Sequence, residues 1–346
     1  MESGLKVVRE LEEVEKLLPL SKEEEKAFKE VTPVYPFSST VYYLKIAKRS
    51  KAVRRMLLPS TKEIDPAIQS AGEEDPLREE RDEKVPRLTH RYPDRVLVVT
   101  TNYCPVLCRF CMRKRNWRRG FFVITENEID RILDYVRRNT RVRDVLISGG
   151  DPLTLPLDRL ERLLLGLKKI ETVEVVRLGT RIPVVAPQAI DEDLLKLLEK
   201  AGKVWVNTHF NHPEEVTEEA GEAVKGLFSV GVPVNNQTVL LKGINDSADT
   251  LERLFRSLQK IKVRPYYLFH CDPVRGVMHF STTITKGLEI VEELFKRLSP
   301  MAIPYYAVDG PGGFGKVPLM PKRFEKEGEV YKFRSFDGRE FYMEDR

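Results

Sequence analysis

From Arg95 onward the chain alternates six times between short β-rich runs and amphipathic stretches, and no other feature restricts its fold so closely. The runs are Val96–Thr100, Asp144–Ser148, Glu174–Leu178, Val204–Phe210, Val234–Leu241 and Pro265–Phe269. Apolar residues recur at helical spacing near Glu126–Arg138, Leu157–Lys168, Glu192–Ala201, Glu214–Val230, Ala248–Lys260 and Lys286–Leu298. Strands separated by whole helices cannot pair as hairpins, so they lie parallel and are joined by helical crossovers. The count stops at six, which predicts an α/β fold built on a partial (β/α)6 barrel. Residues 1–90 read as a helical region up to about Leu58, followed by an extended linking arm over Pro59–Arg91 that is rich in Pro and charge. Residues 91–300 form the barrel, and 301–346 form a C-terminal segment. That segment holds one more strand at Ile303–Val308, a glycine-rich turn, and a hairpin of Tyr331–Arg334 and Glu340–Met343 around Phe336-Asp337-Gly338-Arg339.

In parallel α/β architectures the chemistry gathers in the loops that follow the strands. The distinctive residues fall there: Cys104, Gly149-Gly150-Asp151, Arg181, His209 and Cys271-Asp272. Of four cysteines, three lie within eight residues as C-x3-C-x2-C (Cys104, Cys108, Cys111). That is a poor disulfide framework and a good metal site in a reducing compartment. Three thiolates can hold three irons of a 4Fe–4S cluster and leave the fourth iron open to a reacting molecule. The competing reading is structural zinc, completed by Cys271 or a histidine, but no second C-x-x-C pair exists. The net charge of +5 is spread along the chain and gives no argument for nucleic acid. No apolar run reaches membrane-spanning length, and Met1–Leu20 is too acidic for a signal peptide, so a cytoplasmic protein is expected.

Gly310-Pro311-Gly312-Gly313-Phe314-Gly315-Lys316 satisfies the G-x4-G-K opening of a phosphate-binding P-loop. Val317 replaces the Ser/Thr that would hold magnesium, and Pro318 and Pro321 prevent the helix that should follow, so the match is rejected. A lysine on a glycine loop has another use, forming a Schiff base with an aldehyde cofactor; alone, it would read as a solvated lysine in a turn.

Taken in order, the cysteine cluster, Gly149-Gly150-Asp151 and the glycine-flanked Lys316 resemble the lysine 2,3-aminomutase family within the radical S-adenosylmethionine (SAM) superfamily. The resemblance runs from about His90 to Pro321. It includes His90-Arg91-Tyr92-Pro93-Asp94-Arg95, Pro183-Val184-Val185, Asn207-Thr208-His209-Phe210-Asn211-His212-Pro213, Asn236-Gln237 and Val263-Arg264-Pro265-Tyr266-Tyr267. It implies a 4Fe–4S cluster on Cys104, Cys108 and Cys111, and S-adenosyl-L-methionine bound near Gly149, Gly150, Asp151, His209 and Gln237. It also implies pyridoxal 5′-phosphate (PLP) joined to Lys316, its phosphate held by Arg91, Tyr92 and Arg95. Arg113 would clamp the substrate carboxylate, and Asp272 and Asp309 would bind the distal ammonium of lysine. The implied reaction moves the α-amino group of L-lysine to carbon 3, giving β-lysine, with an electron from a ferredoxin- or flavodoxin-type donor.

Residue by residue, each role has a plainer counterpart. Arg113-Lys114-Arg115 and Arg118-Arg119 could be a solvated or RNA-facing patch, Asp151 could close a turn before Pro152, and Asp272 could form an Asx-turn before Pro273. Family members often carry zinc-binding cysteines between subunits; here Ser247 stands where one would fall, so any homo-oligomer is expected to lack intersubunit zinc. Phe269 stands where a tyrosine is common, and Ala189 where an arginine is usual. Arginine as substrate, or β-lysine destined for elongation factor P, remain open, and a non-catalytic iron–sulfur or zinc protein is the rival from another class.

Overall fold

The computed structural model describes residues 5–335 and 337–345. Met1–Gly4, the start of the segment read against a signal peptide, and Phe336, in the turn of the expected hairpin, lie outside the described residues.

The N-terminal region is helical, as its amphipathic stretches imply. A short bridge pairs Val7–Val8 (β1) with Ser39–Thr40 (β2) beside α1 (Leu11–Leu17), α2 (Lys22–Val31), α3 (Val41–Arg49) and α4 (Lys51–Leu57). Ser21 caps α2 with a full capping box, and Thr40 and Ser50 cap α3 and α4. The segment expected to be a plain extended arm is more structured than that. It carries a 3-10 turn at Thr61–Ile64, the short helix α5 (Pro66–Ser70), and two strands, β3 (Glu83–Val85) and β4 (Leu88–Tyr92), that extend the main sheet. Its apolar periodicity is weak because ion pairs, described below, replace much of the apolar contact.

The barrel follows the alternation. Strands β5 (Arg95–Val99), β6 (Asp144–Ser148), β7 (Val175–Gly179), β8 (Val204–Thr208), β9 (Val234–Val239) and β10 (Arg264–Phe269) pair in parallel in that order. Their crossovers are α6 (Glu126–Arg138), α7 (Leu157–Lys168), α8 with α9 (Ile182–Val185, Glu192–Ala201), α10 (Glu218–Ser229) and α11 (Ala248–Lys260). After α12 (Ile284–Arg297), β11 (Tyr305–Gly310) adds a seventh parallel strand, and β12 (Gly315–Leu319) turns back antiparallel on it. The sheet has ten strands and stays open, with β12 at one edge and β3 at the other. This is the partial (β/α)6 barrel. The last three strands, β13 (Phe324–Glu327), β14 (Val330–Arg334) and β15 (Glu340–Glu344), make a separate antiparallel sheet, one strand more than the expected hairpin.

Burial alternates along the barrel strands. Val96, Val98, Val145, Ile147, Val176 and Leu178 are buried against crossover helices, whose inner stripes supply Ile129, Ile132, Leu160, Leu163, Leu194 and Leu198. The intervening residues, among them Arg95, Ser148, Arg177 and Gln237, are half-buried on the other, concave face. That face and the loops at the strands' C-terminal ends hold the chemistry. No described helix is long and apolar enough to cross a membrane.

Candidate functional site

Cys104, Cys108 and Cys111 lie on the loop after β5, all half-buried and free. The N-terminal region shapes this loop: Leu107 N–H donates to Ser38 O at 3.0 Å, Arg109 N–H to Met56 O at 3.0 Å, and Ser38 Oγ to Pro105 O at 3.0 Å. Burial, together with Asp151 and the other two cysteines, pushes the Cys104 thiol well up, and burial with Cys108 pushes Cys111 up to about 11. Thiolates that would repel one another in a low-dielectric pocket suit a positive metal centre, whose charge offsets the crowding. Cys271, the fourth candidate ligand for zinc, is acted on by Asp272 and Lys114 instead. Among the described residues no group of three or more His, Cys, Asp or Glu, the three cysteines included, is placed to hold a metal ion as the side chains stand.

Gly149 and Gly150 press against this loop. A Cβ on Gly150 would fall 2.1 Å from Tyr103 O, and one on Gly149, at φ +136°, 2.4 Å from Thr101 O. The glycines therefore let two backbones touch, and Asp151 N–H donates to Tyr103 O at 2.8 Å. The Asp151 carboxylate, expected near SAM, faces inward. It accepts from Leu153 N–H at 3.1 Å, Thr180 Oγ1 at 2.6 Å and Arg181 N–H at 2.7 Å, capping the turn that Pro152 opens. His209 packs its ring 5.7 Å from Phe110, next to the last cysteine, and burial with the nearby Arg181 charge holds it neutral, down at about 3. Gln237 lies on β9 in register with Tyr267 of β10. On the same concave face Asn207 Nδ2 is buried without a hydrogen-bond partner in the protein.

The glycine loop of Lys316 joins β11 to β12 as an antiparallel turn with no helix after it, so it is no P-loop. The arm meets this loop. Gly312 N–H donates to Pro76 O at 2.6 Å, Arg81 Nη1 to Gly312 O at 3.1 Å, and Lys316 N–H to Tyr92 Oη at 2.9 Å. A Cβ on Gly313 would stand 2.8 Å from Arg81 Nη2 and 3.2 Å from Arg91 Nη2. Arg95 stacks over the Tyr92 ring at 3.7 Å, and Arg91 pairs with Asp82 at 2.7 Å. Arg91, Tyr92 and Arg95 are thus gathered with Arg81 near the loop, a set of guanidinium and phenol donors that suits a phosphate. Lys316 Nζ binds both oxygens of Asp309 at 2.7 and 2.6 Å and lies 4.4 Å over the Phe269 ring, which stacks on Tyr267.

Asp272 is the free end of this cluster. Burial pushes its carboxyl up to about 7, with Asp309 adding to the rise and Lys316 opposing it; Glu79 and Arg113 also act on it. Arg113 is held by Glu79 through Nε and Nη2 at 3.0 and 2.7 Å, while its Nη1 has only a 3.5 Å contact with Ser148 Oγ. Arg115 Nη2 also donates to Glu79, at 2.9 Å. Burial alone would raise the Glu79 carboxyl, but Arg113 and Arg115 outweigh it and bring it down to about 2. Arg113, Lys114 and Arg115 are therefore not a solvated or RNA-facing patch, whereas Arg118 and Arg119 are exposed. Lys114 pairs with Glu63, Arg118 with Glu74 and Arg119 with Glu80, all acids of the arm. Two charge-rich segments that read as solvated prove complementary to each other.

A cavity of about 270 Å³ beside Arg113 and Glu79 opens next to the site. A second, of about 560 Å³ and lined by Arg55, Lys62, Lys242 and His279, involves none of the expected residues. Glu79, Arg81, Tyr43 and Glu215 carry no sequence signal that separates them from other charged or aromatic residues. Arg181 was marked only by its place after a strand.

Comparisons with known proteins agree with this layout. The model of the Radical SAM superfamily matches residues 98–255. A protein of Aquifex aeolicus is 52% identical over 336 residues, 96% of this chain and 90% of its own. The L-lysine 2,3-aminomutase of Clostridium subterminale is 42% identical over 335 residues, 96% of this chain and 80% of its own. The glutamate 2,3-aminomutase of Clostridioides difficile is 39% identical over 342 residues, 98% of this chain and 80% of its own. With the cysteine loop, the touching glycines and the lysine hairpin in one open barrel, the chain belongs to the lysine 2,3-aminomutase family of radical SAM isomerases, whose cofactors are a 4Fe–4S cluster, S-adenosylmethionine and pyridoxal 5′-phosphate.

Proposed function

We propose that this enzyme moves the α-amino group of L-lysine to carbon 3, giving β-lysine. The observation that supports the substrate is the placement of two acids: Asp309 pairs with Lys316 at 2.6 Å, while buried Asp272, raised further by Asp309, has no ion pair among the described residues. With PLP bound, Lys316 would hold the cofactor aldehyde and its ammonium would no longer be reserved for Asp309. Two partly buried carboxylates then need a cation, and the ε-ammonium of lysine supplies it. The side-chain carboxylate of glutamate would meet two like charges there, so the glutamate enzyme among the relatives is a poor guide to this substrate. Arginine is the competing cation.

In this reading Cys104, Cys108 and Cys111 hold the cluster, with SAM against Gly149, Gly150, His209 and Gln237, and Asp151 bracing that turn from behind. Arg91, Tyr92 and Arg95 would hold the phosphate of PLP. When bound, the cluster and SAM supply one-electron chemistry at carbon 3, and PLP supplies a π-bond across which the amino group can migrate. Arg113 offers Nη1, the nitrogen Glu79 leaves free, to the substrate carboxylate. Neutral His209 gives no proton at physiological pH. The electron comes from a ferredoxin- or flavodoxin-type carrier.

The test is anaerobic reconstitution with iron, sulfide and PLP, then SAM, a strong reductant and each amino acid in turn. β-Lysine from lysine, with no product from arginine or glutamate, is the expected result. SAM cleavage without β-lysine would reject the substrate, and an iron-replete protein that cleaves no SAM would reject the chemistry.

The same charges set a pH dependence. A carboxyl raised to about 7 is neutral below that pH and cannot hold an ammonium. Lysine affinity should therefore rise with pH, by up to about tenfold per unit, through the range in which Asp272 loses its proton, and level off above it. In Asp272→Asn the rise should vanish, and affinity at pH 8 should fall about thirtyfold or more. A lysine KM in the wild type that is flat from pH 5.5 to 8 would remove Asp272 from ammonium binding.

A further inference from the structure

Arg181, just past the C-terminal end of β7, enters none of these roles, yet its side chain hydrogen-bonds a sulfur of the cysteine loop. Its Nη1 donates to Cys108 Sγ at 2.6 Å. Nη2 donates to Tyr43 Oη at 2.7 Å and to Glu215 Oε1 at 2.5 Å, and Nε donates to His209 O at 3.2 Å. The Tyr43 and Phe110 rings lie 5.0 and 5.7 Å from the guanidinium carbon.

The anchors are themselves fixed. Glu215 is fully buried; Tyr43 Oη donates to its Oε1 at 2.6 Å, and its Oε2 accepts from Asn211 N–H at 2.6 Å and His212 N–H at 2.9 Å. Asp151 grips the Arg181 backbone N–H and the Thr180 hydroxyl. The Gly-Gly-Asp motif therefore reaches the cysteine loop twice, through the glycines directly and through Asp151 by way of Arg181. A buried Arg–Glu pair is often no better for stability than an apolar pair of the same size. A thiol is also a weak acceptor, so a fixed guanidinium N–H aimed at sulfur is best matched when that sulfur carries charge.

We propose that Arg181 tunes the cluster held by Cys104, Cys108 and Cys111: it brings a hydrogen bond and a positive charge to the Cys108 sulfur and raises the reduction potential, with Glu215, Tyr43 and Asp151 as positioning residues. The inference rests on the reading of these cysteines as cluster ligands. The step it affects is the entry of one electron from an external one-electron donor, in which no bond is made or broken and no proton moves. Reduction adds negative charge at the sulfurs, so a donor there favours the reduced state; hydrogen bonds to sulfur and net charge are among the factors that set such potentials.

The test uses the wild type, Arg181→Gln, Arg181→Lys and Tyr43→Phe, each reconstituted without SAM or PLP. Iron per chain is counted, and the reduced fraction is followed by electron paramagnetic resonance during a dithionite titration against mediators. At the wild-type midpoint the reduced-to-oxidised ratio of Arg181→Gln should be about tenfold lower, a shift of about 59 mV for one electron. Arg181→Lys should fall between the two, and Tyr43→Phe should move slightly in the same direction. Arg181→Gln with wild-type iron and a wild-type midpoint would overturn the proposal. So would a variant that changes only on adding SAM, since Arg181 would then belong to SAM. If Arg181→Gln loads less iron, wild-type midpoints in both Arg181→Lys and Tyr43→Phe would overturn it. A wild type that takes up no iron would fail earlier, at the count, and would sink the cluster reading together with this inference.

Discussion

Lys316→Ala should yield a folded, iron-replete protein that makes no measurable β-lysine, a loss of more than about a thousandfold in turnover. Folding should be spared because of where the side chain lies. Lys316 is on β12, the last strand of the sheet, and its ion pair with Asp309 is about one-third exposed on the lysine side. A pair that open to water contributes about 0–1 kcal/mol to stability. Its backbone bond to Tyr92 does not depend on the side chain. Lys316→Arg separates the chemistry from the charge: a guanidinium can keep an ion pair with Asp309 but does not condense with an aldehyde at neutral pH. It should be as inactive as Lys316→Ala. The measurements are melting temperature, iron per chain, bound PLP by absorbance, and β-lysine by mass spectrometry. β-Lysine formed by Lys316→Ala at even a tenth of the wild-type rate would take Lys316 out of the chemistry.

The barrel was legible because each of its signals is local. A crossover helix such as α6 announces itself by the spacing of Ile129, Ile132, Leu133 and Val136, and a strand such as β5 by the alternation around Val96 and Val98. Lys316 and Asp309 were each singled out through the family resemblance, with different roles; that they face each other comes from the antiparallel register of β11 and β12. The arm was illegible for the opposite reason. Glu63, Glu79 and Glu80 stand among many acids in a segment without apolar rhythm. What distinguishes them is a partner 34 to 51 residues away on a loop whose own path depends on them. Asp151 shows a subtler limit: the motif was recognisable, but which atoms its carboxylate faces is decided by Thr180 and Arg181 on the next strand's loop. Sequence identifies residues that share a pattern; it does not say which of two complementary charge runs buries the other.

That complementarity yields the largest expected effect on stability. Glu63, Arg109 and Lys114 are almost wholly shielded, with side chains 0%, 0% and 1% exposed. Glu63 accepts from Arg109 Nη2 at 2.6 Å and from Lys114 Nζ at 2.5 Å. Arg109 also donates to Pro36 O and Tyr35 O, and Lys114 to Arg109 O and Gly276 O, so one carboxylate fastens the arm, the cysteine loop and the loop after β10. Removing one member of such a cluster leaves buried charge uncompensated and costs about 3–5 kcal/mol. Glu63→Gln should lower the urea midpoint accordingly, and the deficit should depend on pH. Arg109 stays charged at any accessible pH. Burial already brings Lys114 down to about 8 despite support from Glu63, so without that support its folded value must fall further. A lysine lowered in the folded state binds fewer protons folded than unfolded, so stability rises with pH between the folded value and the unfolded value near 10.4. The deficit of Glu63→Gln should therefore be deepest at the acid end, shrink between the variant's lower folded value and about 8, and level off above that, where Lys114 is neutral in both folded proteins. Because Arg109 sits between Cys108 and Cys111, iron should be lost from the variant at urea concentrations that leave the wild type loaded. A variant with a wild-type midpoint across that pH range would mean the arm is held by something other than this carboxylate.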